Sequence, residues 1–283
     1  MNYIQILIIF ILFVVIIFII DLIAIKIDRY KVYSHQIDEK FIFEQIDYLQ
    51  KNTKRNYNGI PKIIHHIAPS DIKKWKKDWI ECFPSWYKIY PTPEYNHIMW
   101  NDENDLRDLI KNNFEWFLPI YDNYKEKIMK IDTVRYFILY QFGGIYADLD
   151  IKCFKNFYNF LDPEKISIVE SPSVYTEFLQ NSLMISPKNH HFWLEVIKEA
   201  VISRKMCDVL DVSGPRLLDR TLYKYPEDIN VLKKKYFNPG SNKYFKNKST
   251  ENNNNLYTHH LHTGSWTNPL KYINYKICRK IYD

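Results

Sequence analysis

Hydrophobic and polar positions along the chain follow several distinct rhythms, and each change of rhythm marks a segment. From Ile4 to Ile25 only Gln5 and Asp21 are polar, and residues 6–20 are apolar without a break. A helix of that length rises about 33 Å, matching a bilayer core of roughly 30 Å. No basic start precedes the run and no small-residue cleavage site follows it, so residues 1–27 are expected to form an uncleaved transmembrane signal-anchor. Residues 28–55 are charged, with Ile37, Phe41, Ile42 and Ile46 at helical spacing, and read as a stem. The folded domain is expected over residues 56–283. Pro61 opens a β-rich run, Lys62 to Ala68, which Pro69 stops; a second strand fits Tyr95 to Trp100, and a helix follows through Leu106, Leu109 and Ile110. Ile128, Ile131, Val134, Ile138 and Phe142 recur every three or four residues, predicting a helix that Gly143-Gly144 ends. Strands are then expected at Ile145–Ile151, Ile166–Val169 and Leu183–Ile185, with helices over His190–Arg204 and from Ser213-Gly214-Pro215 onward. Asn238 to Asn255 reads as a surface loop. Alternating strands and helices imply an α/β sandwich with a mostly parallel sheet.

Composition narrows the classes. Of the chain's 283 residues 46% are apolar and 25% charged, with only six glycines, which excludes disordered and fibrous proteins. Lys and Arg exceed Asp and Glu by 39 to 33, yet no basic block interleaves with an aromatic motif. Nucleic acid is therefore not an expected partner. Aromatic residues reach 17%, and flat rings stack on sugars and bases as well as filling cores. Cys82, Cys153, Cys207 and Cys278 form no zinc spacing and leave the redox compartment open. Lys26, Arg29 and Lys31 follow the apolar run and no basic residue precedes it, a pattern that keeps the large domain on the cytoplasmic side. One sequon, Asn247-Lys248-Ser249, matters only for a lumenal domain.

The chemistry-bearing block runs from Lys130 to Tyr136 and on through Gly143-Gly144-Ile145-Tyr146-Ala147-Asp148-Leu149-Asp150. In an extended strand, residues two apart share a face, so Asp148 and Asp150 present paired carboxylates at the strand end. Such a pair suits Mg²⁺ or Mn²⁺ bridging to phosphate oxygens. Acids at this spacing also occur as a solvated strand end, so the setting matters. Asp132 and Arg135 sit three apart on the preceding helix, placed to hydrogen-bond a sugar hydroxyl and a phosphate or simply to pair with each other.

These blocks resemble those of glycosyltransferase family 32, the DXD-containing sugar transferases that include α-mannosyltransferases and inositol phosphoceramide mannosyltransferases. The resemblance covers about residues 60–266, through Ile60-Pro61-Lys62-Ile63-Ile64-His65, Trp79 with Pro84 and Trp86, Trp100-Asn101-Asp102, and the Asp132/Arg135/Gly-Gly/Asp-x-Asp block. Weaker echoes are Asn181 with Ser186, His191-Phe192, Ser213-Gly214-Pro215 and His262-Thr263-Gly264-Ser265-Trp266. It implies a GT-A-like nucleotide-sugar-binding fold and transfer of a hexose with retention, from a nucleotide sugar (GDP-mannose favoured, a UDP-hexose second) to a lipid or glycan acceptor. It also implies a Golgi or ER-type membrane with a lumenal domain. Carried over by position, Asp148 contacts ribose and donor sugar, Asp150 binds the Mn²⁺ or Mg²⁺, and Asp132 and Arg135 hold hydroxyls and phosphate. Asn181 touches the donor sugar, while His262, as a second metal ligand, and Ser265 close the site with Trp266 beside the diphosphate. Read locally, His259, His260 and His262 are equally an ordinary polar loop. One position departs from the pattern: Ala68 stands where the family's first strand ends in a base-stacking Trp. Rival readings are an aspartate phosphatase, which expects Thr or Val where Lys152 stands, and a membrane-tethered nucleotide-sugar-binding protein without turnover.

Overall fold

A computed structural model describes residues 3–34, 37–54, 57–172, 178–227, 229–240 and 255–262. Helix α1 (Tyr3–Ser34) contains the apolar run, and its stretch Tyr3–Ala24 is long and apolar enough to cross a membrane while burying nothing against the protein. Helix α2 (Glu39–Asn52) starts on an Asp38 cap, whose Oδ1 accepts from the Phe41 amide at 3.0 Å. Its helical spacing was legible as part of a stem. The helix is docked: Ile42 and Ile46 are buried in the main core, Glu39 pairs with Arg204 and Lys205, and Asp47 pairs with Lys198 at 3.2 Å. It therefore packs with residues 57 onward as one folded unit.

Five strands point one way and one points back. Chain order gives β1 (Ile63–Ala68), α3 (Lys77–Ile89), β2 (Asn96–Asn101), α4 (Asp105–Asn113), α5 (Leu118–Asn123), α6 (Lys127–Phe142), β3 (Gly144–Ala147) and β4 (Ile151–Cys153). Then follow β5 (Ser167–Glu170), β6 (Leu179–Ser186), α7 (Phe192–Ser203), α8 (Val209–Val212), α9 (Pro215–Lys224), β7 (Asn230–Leu232), α10 (Lys234–Phe237) and β8 (Thr258–His260). The main sheet has the order β2-β1-β3-β6-β5-β7, with β6 antiparallel to both neighbours and the other pairings parallel. The α/β class with a mostly parallel sheet is borne out. Both faces of the sheet are covered: Tyr146 packs into the cluster beneath α4 to α9, whereas Ile145 and Ala147 pack into the cluster around Trp86 and Tyr90. That alternation explains why β3 reads as a nearly continuous apolar run.

The strand expected from Ile145 to Ile151 is broken, which corrects the sequence reading. β3 ends at Ala147, and residues 148–151 form a turn in which the Ile151 amide donates to the Asp148 carbonyl at 3.1 Å. The chain then leaves the main sheet. β4 pairs instead with β8, in register Ile151↔His260, because Ile151 and Cys153 bury against the second cluster and the Trp86 indole donates to the Ile151 carbonyl at 2.8 Å.

Candidate active site

The site grows out of the α6–β3 junction. Gly143 and Gly144 both have positive φ, 66° and 91°. A Cβ on Gly143 would lie 2.6 Å from the Lys188 amide nitrogen, and one on Gly144 would lie 2.4 Å from the Ile63 carbonyl oxygen. Only glycine fits either place, so the pair does more than stop a helix: it lets β3 start in contact with β1. That contact sets where the strand ends, and hence where Asp148 emerges.

Asp148 and Asp150 converge through the turn and not through strand periodicity. The Asp148 amide still reaches the sheet, donating to Ser182 O at 2.9 Å, and the Tyr146 hydroxyl donates to Asp148 Oδ1 at 2.7 Å. From α6, buried Arg135 reaches the same carboxylate, with Nη1 3.4 Å from Asp148 Oδ1 and 2.6 Å from the Asn181 carbonyl oxygen, while Nη2 pairs with Asp132 Oδ1 at 2.7 Å. Its guanidinium lies 4.8 Å from the Tyr146 ring centre. Asp132 and Arg135 pair with each other, as one of the two sequence readings expects, and Arg135 also faces Asp148.

His260 completes the cluster. Its Nε2 lies 3.1 Å from Asp150 Oδ1, and Asp148, Asp150 and His260 each bring one ligand atom within 4.8 Å of the others. His262, the ligand expected from the resemblance, is not in that group of three; its ring centre lies 3.9 Å from that of His260, tilted by 32°, and its Nε2 donates to Asn238 Oδ1 at 3.2 Å. The turn that redirects β4 is what pairs Asp150 with β8 and so brings His260 in. Sequence reading missed this residue, although the H-x-H spacing of His260 and His262 was a usable signal. Asn181 sits on β6 beside the site, its side chain 3.5 Å from the Tyr136 hydroxyl. Ser265 and Trp266 lie outside the described residues.

Electrostatics point to a cation. Three carboxylates, Asp132, Asp148 and Asp150, face one guanidinium, an excess of two negative charges when all are ionised. Burial pushes Asp132 up to about 7, with Arg135 opposing the rise and Asp148 adding to it. Asp148 is likewise raised by burial, opposed by Arg135 and reinforced by Asp150. Burial works against a charge on His260, but Asp150 and Asp148 outweigh it and its pKa rises. His262 goes the other way, to about 3, through burial and the neighbouring His260. A divalent ion fits this set: two carboxylate oxygens and an imidazole suit Mn²⁺, the charge excess matches, and His260 Nδ1 is buried without a hydrogen-bond partner among the described residues.

Comparison with known proteins agrees with this reading of the site. Residues 76–168, which contain Asp132, Arg135 and the Asp148/Asp150 pair, match the family described as glycosyltransferase sugar-binding region containing DXD motif. Inositol phosphoceramide mannosyltransferase 3 of Schizosaccharomyces pombe is 35% identical over 140 residues, 50% of this chain and 37% of that protein. An uncharacterized glycosyltransferase of Acanthamoeba polyphaga mimivirus is 29% identical over 227 residues, 75% of this chain and 86% of that one. Among solved structures, the PaToxG glycosyltransferase aligns with a TM-score of 0.47 at 19% identity, over 72% of this chain and 80% of that one. The chain spans less than two thirds of the length of the inositol phosphoceramide mannosyltransferases it matches. The resemblance read from the motifs is thus matched over residues 76–168, the part of the chain that is similar to the DXD-containing glycosyltransferase sugar-binding region.

Proposed function

We propose that this protein is a membrane-anchored, metal-dependent, retaining hexosyltransferase that moves mannose from a nucleotide sugar, GDP-mannose in preference to a UDP-hexose, to a lipid acceptor or a glycan. The observation that supports it most is the convergence of Asp148, Asp150 and His260 on one point with Arg135 beside them. Those three residues would hold Mn²⁺ or Mg²⁺, which neutralises charge on a diphosphate. Arg135, fixed by Asp132 and the Asn181 carbonyl, places a permanent positive charge next to the same group. Negative charge grows on the diphosphate as the glycosidic bond breaks, so this preorganised cation lowers the barrier more than it tightens binding. Asp132 and Asp148 are engaged with Arg135 and Asp150 with His260, and with no candidate for a double-displacement nucleophile among the described residues a front-face transfer is favoured, in which the departing diphosphate takes the acceptor's proton.

Ala68 leaves the end of β1 without a ring. Trp75 is held beside that end by its indole N–H donating to the Pro69 carbonyl at 2.8 Å, and we assign it the base-stacking role. The printed names of the curated relatives, inositol phosphoceramide mannosyltransferases, support a phosphoinositol lipid as the acceptor, and the apolar helix α1 supports a membrane location. Orientation draws on two opposing signals. The basic residues after the anchor favour the cytoplasm, but Cys207 is disulfide-bonded, which favours an oxidising compartment and so a lumenal domain. Protease protection and glycosylation of the Asn247 sequon in sealed vesicles check this; cleavage of the domain from the cytosolic side would reverse it. The activity itself is tested by incubating the full chain in detergent with Mn²⁺ and a panel of nucleotide sugars. Nucleotide release from GDP-mannose above the other donors is expected, and release from none would leave the binding-protein reading standing.

A further inference from the structure

A second cleft lies at the opposite end of the sheet from the acids. It has a volume of about 760 Å³ and lies between the C-terminal end of α2, the segment leading into β1, the last turn of α6 and the residues after β6. These pieces meet there for a topological reason: Pro61 precedes β1, Gln141 precedes β3, and antiparallel β6 ends at Ser186 opposite Gly144. About 13 Å of strand separates that level from Asp148.

Its chemistry is the reverse of the catalytic end. Lys54 and Lys188 line the cleft, no carboxylate does, and neither lysine is paired among the described residues. Gln141 and Asn189 add amides, and Tyr140 with Phe114 forms an aromatic floor. The walls are held in place. The Tyr140 hydroxyl and Thr53 Oγ1 are 2.9 Å apart, joining α6 to the end of α2, and the Asn189 backbone N–H donates to the Tyr140 carbonyl at 2.7 Å. Tyr57, also in the lining, is fixed by a 2.6 Å hydrogen bond to His191 Nδ1, whose other nitrogen contacts Glu227 at 2.6 Å, and it stacks on His190. A pocket of this size, with a rigid aromatic side, amides for hydroxyl groups and uncompensated ammonium groups, is built for a polyol that carries an anion.

We propose that this cleft binds a phosphorylated sugar, with the phosphate between Lys54 and Lys188 and the ring hydroxyls on Gln141 and Asn189, as a site separate from donor turnover. The test is a calorimetric titration of the full chain in detergent, carrying Asp150→Asn and kept in chelator so that the catalytic end binds no metal. Hexose 6-phosphate is compared with inorganic phosphate and with the neutral hexose. The proposal expects hexose 6-phosphate to bind at least about tenfold tighter than either, Gln141→Ala to weaken it severalfold, and Lys54→Glu with Lys188→Glu to weaken it tenfold or more with unchanged circular dichroism. In an otherwise unaltered chain the double lysine variant should release nucleotide at the original rate. Equal affinity for phosphate and hexose phosphate, no binding at millimolar ligand, or binding that survives the double charge reversal would each overturn it.

Discussion

The two ends of the β1–β3–β6 region are built from the same strands and carry opposite chemistry. At the carboxyl end of β3, three acids share one guanidinium and a histidine. At the amino end, two lysines stand among amides with no acid in the lining. The sheet is thus polarised, and what sets the two ends apart is how each closes. The amino end closes on the Gly143-Gly144 turn, too tight for any side chain. The carboxyl end closes on a turn that throws the chain into a second sheet and brings His260 back to Asp150. Charge of one sign collects where the fold supplies a way to offset it, and in the proposed function a divalent ion would be that offset at the acid end.

Variants of the acid end should separate sharply from those of the basic end. Asp150→Asn should lower donor turnover by about a thousandfold or more with an unchanged circular dichroism spectrum, because it removes a ligand and half the charge excess. Arg135→Lys should follow at about a hundredfold, since a single ammonium cannot meet Asp132, Asn181 O and Asp148 together; steady-state nucleotide release with a thermal melt distinguishes lost chemistry from lost folding. The two histidines sharpen the picture further. His260→Ala should raise the Mn²⁺ concentration needed for half-maximal activity by tenfold or more, and His262→Ala by only a fewfold; the reverse order would make His262 the ligand. Trp75→Ala should raise the donor KM severalfold with little change in kcat.

A smaller effect concerns pH. Asp132 is raised from its ordinary carboxyl range to about 7 by burial, so its neutral form is the better tolerated in the fold. The stability this provides is fully present below the unfolded-state pKa near 4 and is lost as pH rises through about 7. Asp132→Asn cannot lose it. Urea unfolding of the two proteins in chelator should therefore show the variant gaining on the parent between pH 4 and pH 8; a constant difference would mean that Arg135 holds Asp132 ionised throughout.

Much of this architecture was legible in the residue pattern, for identifiable reasons. The α6 helix follows from the spacing of Val134, Ile138 and Phe142 and from a glycine stop, signals that operate locally. β1 and β2 follow from apolar runs bounded by prolines and an Asn-Asp pair. The helix α3 was hidden because Pro84 lies inside it, and a proline there reads as a break. The strand expected through Ile151 failed because β3 itself leaves the main sheet after Ala147 although β1 and β6 run on, and only the long-range pairing of β4 with β8 accounts for it. His260 was missed for the same reason, since its approach to Asp150 depends on chain more than a hundred residues away. Asp132, Arg135, Asp148 and Asp150 lie within nineteen residues on one helix–turn–strand unit, so local reading was enough to group them.

Manganese-dependent nucleotide release from GDP-mannose, measured side by side for the full chain and its Asp150→Asn variant, tests the central claim most directly. Turnover that needs added Mn²⁺ in the parent and falls to background in the variant is the predicted result. Equal turnover in the two proteins, or turnover in the parent that persists in chelator, would contradict it.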